Sequence, residues 1–117
     1  MPKLEMDGPF DLKDGIIHQE VDKDMISNFA LGCMDKDGKF VVKAIGRSDK
    51  DLNMEIKSAK RRFSGGLLGQ MFGNNKLDKF KFSLAANADS AYQVEACAFE
   101  NFGGPKNLIN KKPPTPP

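Results

Sequence analysis

The sequence predicts a small α+β domain in which a three-stranded, mainly antiparallel sheet is flanked by helices in the order β-β-α-β-α. Three observations support this class: two strand-like segments around a turn at residues 29–45, a third strand-like segment at 80–84, and two amphipathic stretches after residues 48 and 87. With 117 residues, the chain has about the commonest size of a single domain. We divide it into a loosely structured lead-in (1–26), the domain (27–110) and a disordered Pro-rich tail (111–117).

The first two strands form a β-hairpin. Residues 29–34 and 39–45 are rich in β-branched, aromatic and other apolar side chains, which favour strands. Residues 35–38 read Asp-Lys-Asp-Gly, and such residues favour a tight turn because glycine adopts positive φ without strain.

Two helices and a third strand follow. Apolar side chains recur at helical spacing after Ser48 and Asp51, a pair that is typical of a capping box, and the Gly65-Gly66 pair ends this helix. Residues 80–84 alternate between apolar and polar, which predicts a half-buried strand. Asn87 or Asp89 can cap a second helix from about residue 88 to 102. The stripe of the first helix consists of Leu52, Ile56, Ala59 and Phe63.

Composition restricts the classes of protein to consider. The formal charge of +2 does not by itself indicate nucleic-acid binding, so any basic surface must come from local clustering. The first ten residues lack the apolar core of a secretory signal, and no run is long enough to span a membrane. Two separated cysteines, Cys33 and Cys97, favour a reducing, cytoplasmic setting over a disulfide framework.

Glu95 is the most informative polar residue. At about 100° per residue, it projects only about 40° from the apolar stripe of the second helix. A carboxylate on a packed face costs free energy unless it meets a cation, a metal ion or hydrogen-bond donors. Three interpretations stay open: an ion pair with a residue such as Arg47, a position at the edge of the stripe that reaches solvent, and a metal ligand. The apolar stripe is formed by Ala91, Val94, Ala98 and Phe102.

Several short segments occur in a characteristic order: residues 28–31 in the first strand, Ile45-Gly46-x-Ser48 in the second, Glu95 in a later helix, and residues 108–110 near the end. This order is similar to that of the GIY-YIG endonucleases. The resemblance covers residues 27–110 and implies a metal-dependent phosphodiesterase that acts on DNA or RNA. It further implies that Glu95 holds a divalent ion such as Mg²⁺.

The chain also departs from the family at three catalytic positions. Phe29 and Ala44 stand where the resemblance implies two tyrosines, one of which helps to activate water in the family. Glu55 stands where it implies an arginine that stabilises phosphate charge, and Arg47 or Arg61 is a candidate replacement. We therefore expect nucleic-acid binding with nuclease activity lost or weak.

Three further segments are candidate binding surfaces. The basic residues Lys57, Lys60, Arg61 and Arg62 can contact phosphates, or they can form an ordinary solvated helix face. The glycine-rich segment 64–76 offers Leu67, Leu68, Met71 and Phe72 to a protein partner, and this interaction domain is our alternative function. The tail matches a basic residue followed by P-x-x-P, a pattern that is also common in unstructured ends.

Overall fold

The computed structural model describes residues 6–21, 25–64, 77–109 and 113–117. Within these ranges the fold is α+β, as the sequence predicted, and the sheet is antiparallel throughout with the strand order β1-β4-β2-β3. The strands are β1 (Asp7–Asp11), β2 (Ser27–Met34), β3 (Phe40–Ser48) and β4 (Lys79–Leu84). The helices are α1 (Asp14–Glu20), α2 (Leu52–Ser64) and α3 (Ala88–Asn101), and a 3-10 turn follows at Gly104–Lys106.

The prediction of three strands is wrong, because β1 adds a fourth at the edge of the sheet beside β4. The described part of the supposed lead-in is thus folded, and α1 belongs to it as well. Both elements were missed for physical reasons. Pro9 lacks an N–H group and is tolerated only at a sheet edge, and a seven-residue helix containing Gly15 is too short to show a helical period.

The predicted hairpin is confirmed, with β2 and β3 paired from Ser27–Ser48 to Met34–Phe40. Its turn is closed by Asp35, whose Oδ1 accepts hydrogen bonds from the backbone N–H groups of Asp37 (2.8 Å) and Lys39 (2.9 Å). Gly38 adopts a φ of 79°, which explains the glycine at this position.

The sheet separates two apolar clusters because side chains alternate between its faces. Helices α1 and α2 cover one face, and α3 covers the part of the other face formed by β2 and β3. The larger cluster, under α1 and α2, comprises Leu12, Ile17, Val21, Phe29, Leu31, Ala44, Leu52, Ile56, Ala59, Phe80, Phe82 and Ile109. The smaller cluster, under α3, comprises Ala30, Ile45, Ala98, Phe99 and Leu108.

The predicted helices are confirmed, with one change in capping. Asp51, not Ser48, caps α2, since its Oδ1 accepts from the N–H of Met54 at 3.1 Å. Asn87 caps α3 by accepting from the N–H of Ser90 at 2.8 Å.

Residues 108–109 close the outer edge of β3. The N–H of Ile109 donates to the carbonyl of Lys43 at 2.7 Å, and Lys43 is the extra residue at a bulge in the hairpin. Leu108 packs into the smaller cluster and Ile109 into the larger one, so the segment ties both faces together. Further along, residues 113–117 lie in neither a helix nor a strand.

No helix in the described ranges is both long enough and apolar enough to cross a membrane.

Candidate functional site

Glu95 lies on the inner face of α3. It is nearer to the centre of this face than the sequence indicated. The buried residues of this helix are Ala91, Ala98 and Phe99, whereas Val94, assigned to the packed stripe, is 46% exposed. At about 100° per residue, the middle of the packed face falls close to Glu95. The side chain of Glu95 keeps only 13% of its surface exposed, so it needs a partner.

Arg47, at the end of β3, supplies that partner. Its Nη1 lies 2.7 Å from Oε1 of Glu95, and its Nε lies 3.0 Å from Oδ1 of Asp49. Its guanidinium carbon also lies 5.3 Å from the centre of the Tyr92 ring, one turn before Glu95 on α3. With 11% of its side chain exposed, Arg47 links β3, the β3–α2 turn and α3.

The electrostatics of this cluster reflect a balance between burial and pairing. Burial raises the pKa of the Glu95 carboxyl above its ordinary value, and this outweighs the opposite effect of Arg47. The charges of Asp49 and Glu55 raise the pKa of Glu95 further, so Glu55 acts on the same cluster from the first turn of α2. For Arg47, burial acts to lower the pKa, but the carboxylates of Asp49 and Glu95 outweigh it and the net shift is upward.

Asn28 fixes the helix over this part of the sheet. It pairs with Arg47 across the hairpin, and its Nδ2 donates to the carbonyl oxygen of Ala91 at 2.7 Å. Asn28 is 1% exposed, so this is a buried hydrogen bond between β2 and α3. The sheet therefore holds α3 at two points that lie one turn apart. Arg47 contacts Glu95, and Asn28 contacts the carbonyl of Ala91.

The positions that the GIY-YIG resemblance links do not form one site. Phe29 (2% exposed) and Ala44 (0% exposed) are buried in the larger cluster, under α1 and α2. Glu95 lies over the opposite face, and Glu55 is exposed on α2. Phe29 and Ala44 share the larger cluster, and the two carboxylates, Glu55 and Glu95, repel one another as like charges.

The Glu95 cluster does not fit a magnesium site. Mg²⁺ prefers free carboxylate oxygens and water in an octahedral shell, whereas Glu95 and Asp49 are already bonded to the cationic Arg47. Within the described ranges, no group of three or more His, Cys, Asp or Glu side chains has an arrangement that could hold a metal ion.

The four basic residues of α2 point in different directions around the helix. Counted at about 100° per residue, Arg61 projects directly away from the packed stripe, beside the exposed Met54, with Lys57 about 40° to one side of it and Arg62 about 100° to the other. Arg61 and Arg62 are exposed and Lys57 is half-buried. Lys60 projects towards α1, where its Nζ lies 3.4 Å from Oδ1 of Asp14.

Four residues of the alternative protein-binding surface, Leu67, Leu68, Met71 and Phe72, lie outside the described residues. The interaction-domain function therefore stays a prediction. The same holds for the basic residue that precedes the P-x-x-P pattern, since residues 110–112 are not described either.

Sequence reasoning named Arg47 and Glu95 but missed Asp49 and Asn28. Asp49 carried a usable signal, because it follows Arg47 by two residues at a strand end where the chain turns. Asn28 carried a second signal, since an asparagine within a buried strand requires a hydrogen-bond partner. The pairing of Asn28 with Arg47 depends on the hairpin register. The turn does not fix this register for residues beyond the bulge, so the sequence did not predict the pairing.

No family model, curated protein or solved structure matches this chain. The similarity to GIY-YIG endonucleases therefore rests on the residues and on the order of the elements alone.

Proposed function

We propose that this chain is a nucleic-acid-binding domain, built on a scaffold that resembles GIY-YIG endonucleases in element order, with nuclease activity absent or weak. The observation that carries the proposal is the outer face of α2, where Lys57, Arg61 and Arg62 lie away from the core. Several cations within two turns of one helix attract phosphates and release the phosphates' counterions on binding.

The loss of cleavage follows from the residues at the other positions. Phe29 and Ala44 offer no hydroxyl group, and both are buried. Glu55 places a negative charge where the resemblance implies an arginine, and it would repel a phosphate. Loss of a single transition-state donor can cost about a hundredfold to a thousandfold in rate. With Mg²⁺ or Mn²⁺ present, we expect the chain to cleave plasmid or single-stranded DNA no faster than Glu95→Ala.

Free cysteines support a reducing setting as part of the same proposal. Cys33 is half-buried and Cys97 is exposed, and neither forms a disulfide. Disulfides are rare in the cytosol, so a cytoplasmic location accords with this state.

A charge-matched comparison tests the binding proposal. Fluorescence anisotropy of labelled single-stranded and duplex DNA and RNA is measured at about 50 and 200 mM salt. The test variant is Lys57→Ala/Arg61→Ala/Arg62→Ala, which leaves Lys60 with Asp14. The control, Lys36→Ala/Lys39→Ala/Lys106→Ala, removes the same charge from exposed positions outside α2.

We expect weak binding that the test variant loses and the control retains. Three phosphate contacts imply an affinity that falls about 40-fold between the two salt concentrations. Equal loss in both triple variants would mean that net charge alone drives binding, and no binding of the unmodified chain would contradict the proposal.

A further inference from the structure

We propose that Arg47 is a built-in cation that takes the place of the divalent ion expected at Glu95, so that this carboxylate cluster binds its own arginine and no metal. The proposal arises from the disagreement between the metal site that the resemblance implies and the contacts of Glu95. It concerns a different part of the molecule from the basic face of α2 and does not depend on nucleic-acid binding.

Two carboxylates bond to a single cation, and a third lies near enough to act on one of them through its charge. Glu95 comes from α3, Asp49 from the β3–α2 turn and Glu55 from the first turn of α2. Glu95 and Asp49 bond directly to Arg47, and Glu55 acts through its charge on Glu95. Without Arg47, Glu95 and Asp49 would keep two uncompensated negative charges, which attract a divalent ion.

The geometry of Arg47 allows one side chain to hold two carboxylates. The guanidinium group presents its N–H donors in a planar fork, and two different nitrogens, Nη1 and Nε, bond to Glu95 and Asp49 at 2.7 and 3.0 Å. A lysine has a single ammonium group and lacks this fork. The Tyr92 ring lies against the guanidinium group, on the side of α3.

The backbone keeps Arg47 in place. Its strand position is fixed by pairing with Asn28, and Asn28 holds Ala91 of α3 through a 2.7 Å hydrogen bond. Glu95 follows Ala91 by one turn on the same helix. Its backbone position relative to Arg47 is therefore fixed by the hydrogen bond between Asn28 and Ala91. A metal ion bound to Glu95 would lie next to a fixed positive charge, which repels it.

Manganese binding tests this directly, with the electron paramagnetic resonance signal of free Mn²⁺ as the readout. The unmodified chain and Glu95→Gln should give the same isotherm, because Glu95 is not available to the metal. Arg47→Met removes the charge at similar length and should bind Mn²⁺ at least about tenfold more tightly than the unmodified chain. Arg47→Met/Glu95→Gln should lose this gain.

Arg61→Met is the matched control, because it removes one exposed arginine outside the cluster and should behave as the unmodified chain does. Binding to the unmodified chain that disappears in Glu95→Gln would overturn the proposal. So would a folded Arg47→Met that binds Mn²⁺ no better, or a gain that persists in the double variant. If Arg47→Met does not fold, the comparison between the unmodified chain and Glu95→Gln still decides the question.

Discussion

Gly46 shows how one residue of the Ile-Gly-x-Ser segment acts through packing. A Cβ atom at this position would lie 2.3 Å from Cζ of Phe29, its partner across the hairpin, so the ring occupies the space that the glycine leaves. We expect Gly46→Ala to lower the free energy of unfolding by about 1–3 kcal/mol, as overpacking does.

Two comparisons make the test of Gly46 specific. Phe29→Leu should reduce the cost of Gly46→Ala, which a double-mutant cycle by urea denaturation would measure. Gly15→Ala, in α1 with open space around its Cα, should instead stabilise the chain by about 0.5–1 kcal/mol. Equal costs of Gly46→Ala with and without Phe29 would show that the ring is not the cause.

The burial of Glu95 leads to a second prediction at the scale of a residue, on how stability depends on pH. Its pKa in the folded chain is raised above the ordinary value of 4.5, mainly by burial, so the folded state binds its proton more tightly than the unfolded state does. Its contribution to stability is therefore fully present below about pH 4.5 and is lost as the pH rises through the folded pKa.

Glu95→Gln isolates this effect, since every other titrating group is common to both chains. The free energy of unfolding of the unmodified chain, relative to that of Glu95→Gln, should increase between pH 7 and pH 4.5, approximately the ordinary pKa of a glutamate. Urea denaturation at both pH values measures it. A relative stability that falls over this interval would mean that Arg47 outweighs burial and lowers the pKa of Glu95.

At the scale of elements, local patterns predicted the hairpin, β4 and the two longer helices. These elements have either a period that extends over several residues or a turn with specific chemistry at Asp35–Gly38. β1 and α1 have neither, because they are short and are stabilised by contacts with distant residues. Phe10 illustrates this: its ring lies 5.4 Å from that of Phe80 and 5.8 Å from that of Phe82, about seventy positions later. The four-residue turn that begins at Asp35 is predicted by the residues within it. The ring contacts of Phe10 are not, because they depend on residues far along the chain.

The cap of α3 provides a prediction at the same scale. The sequence left Asn87 and Asp89 as alternatives, and Asn87 makes the hydrogen bond to Ser90. Asn87→Ala should cost about 1 kcal/mol of unfolding free energy, because it removes the acceptor for an otherwise unpaired N–H group. Asn87→Ser retains an acceptor and should stay within a few tenths of a kcal/mol. Equal losses for the two substitutions would contradict this role of the side chain.

At the scale of the whole molecule, the candidate site shows the limit of reasoning from order along the chain. The order of strands and helices placed Phe29, Ala44 and Glu95 in one site, but side-chain alternation sends the first two to one face of the sheet and α3 covers the other. The face on which a helix packs depends on the path of its connection and on which apolar surface remains uncovered. A single sequence without its contacts does not specify either one.

The same packing predicts that the N-terminal region is necessary for the fold. Leu12, Ile17 and Val21 are at most 4% exposed, and their burial contributes about 5–9 kcal/mol, against about 5–15 kcal/mol for the net stability of a typical domain. Asn53 of α2 also donates to the carbonyl of Val21 at 3.0 Å and would lose this partner if residues 1–21 were removed.

A chain of residues 22–117 should therefore lack a cooperative urea transition. A chain of residues 1–112 should instead unfold like the full chain, since most of residues 113–117 are exposed. Circular dichroism during the urea titration distinguishes these outcomes. A cooperative transition of residues 22–117 at an unchanged midpoint would mean that β1 and α1 do not contribute to stability and that the remaining three-stranded domain is stable by itself.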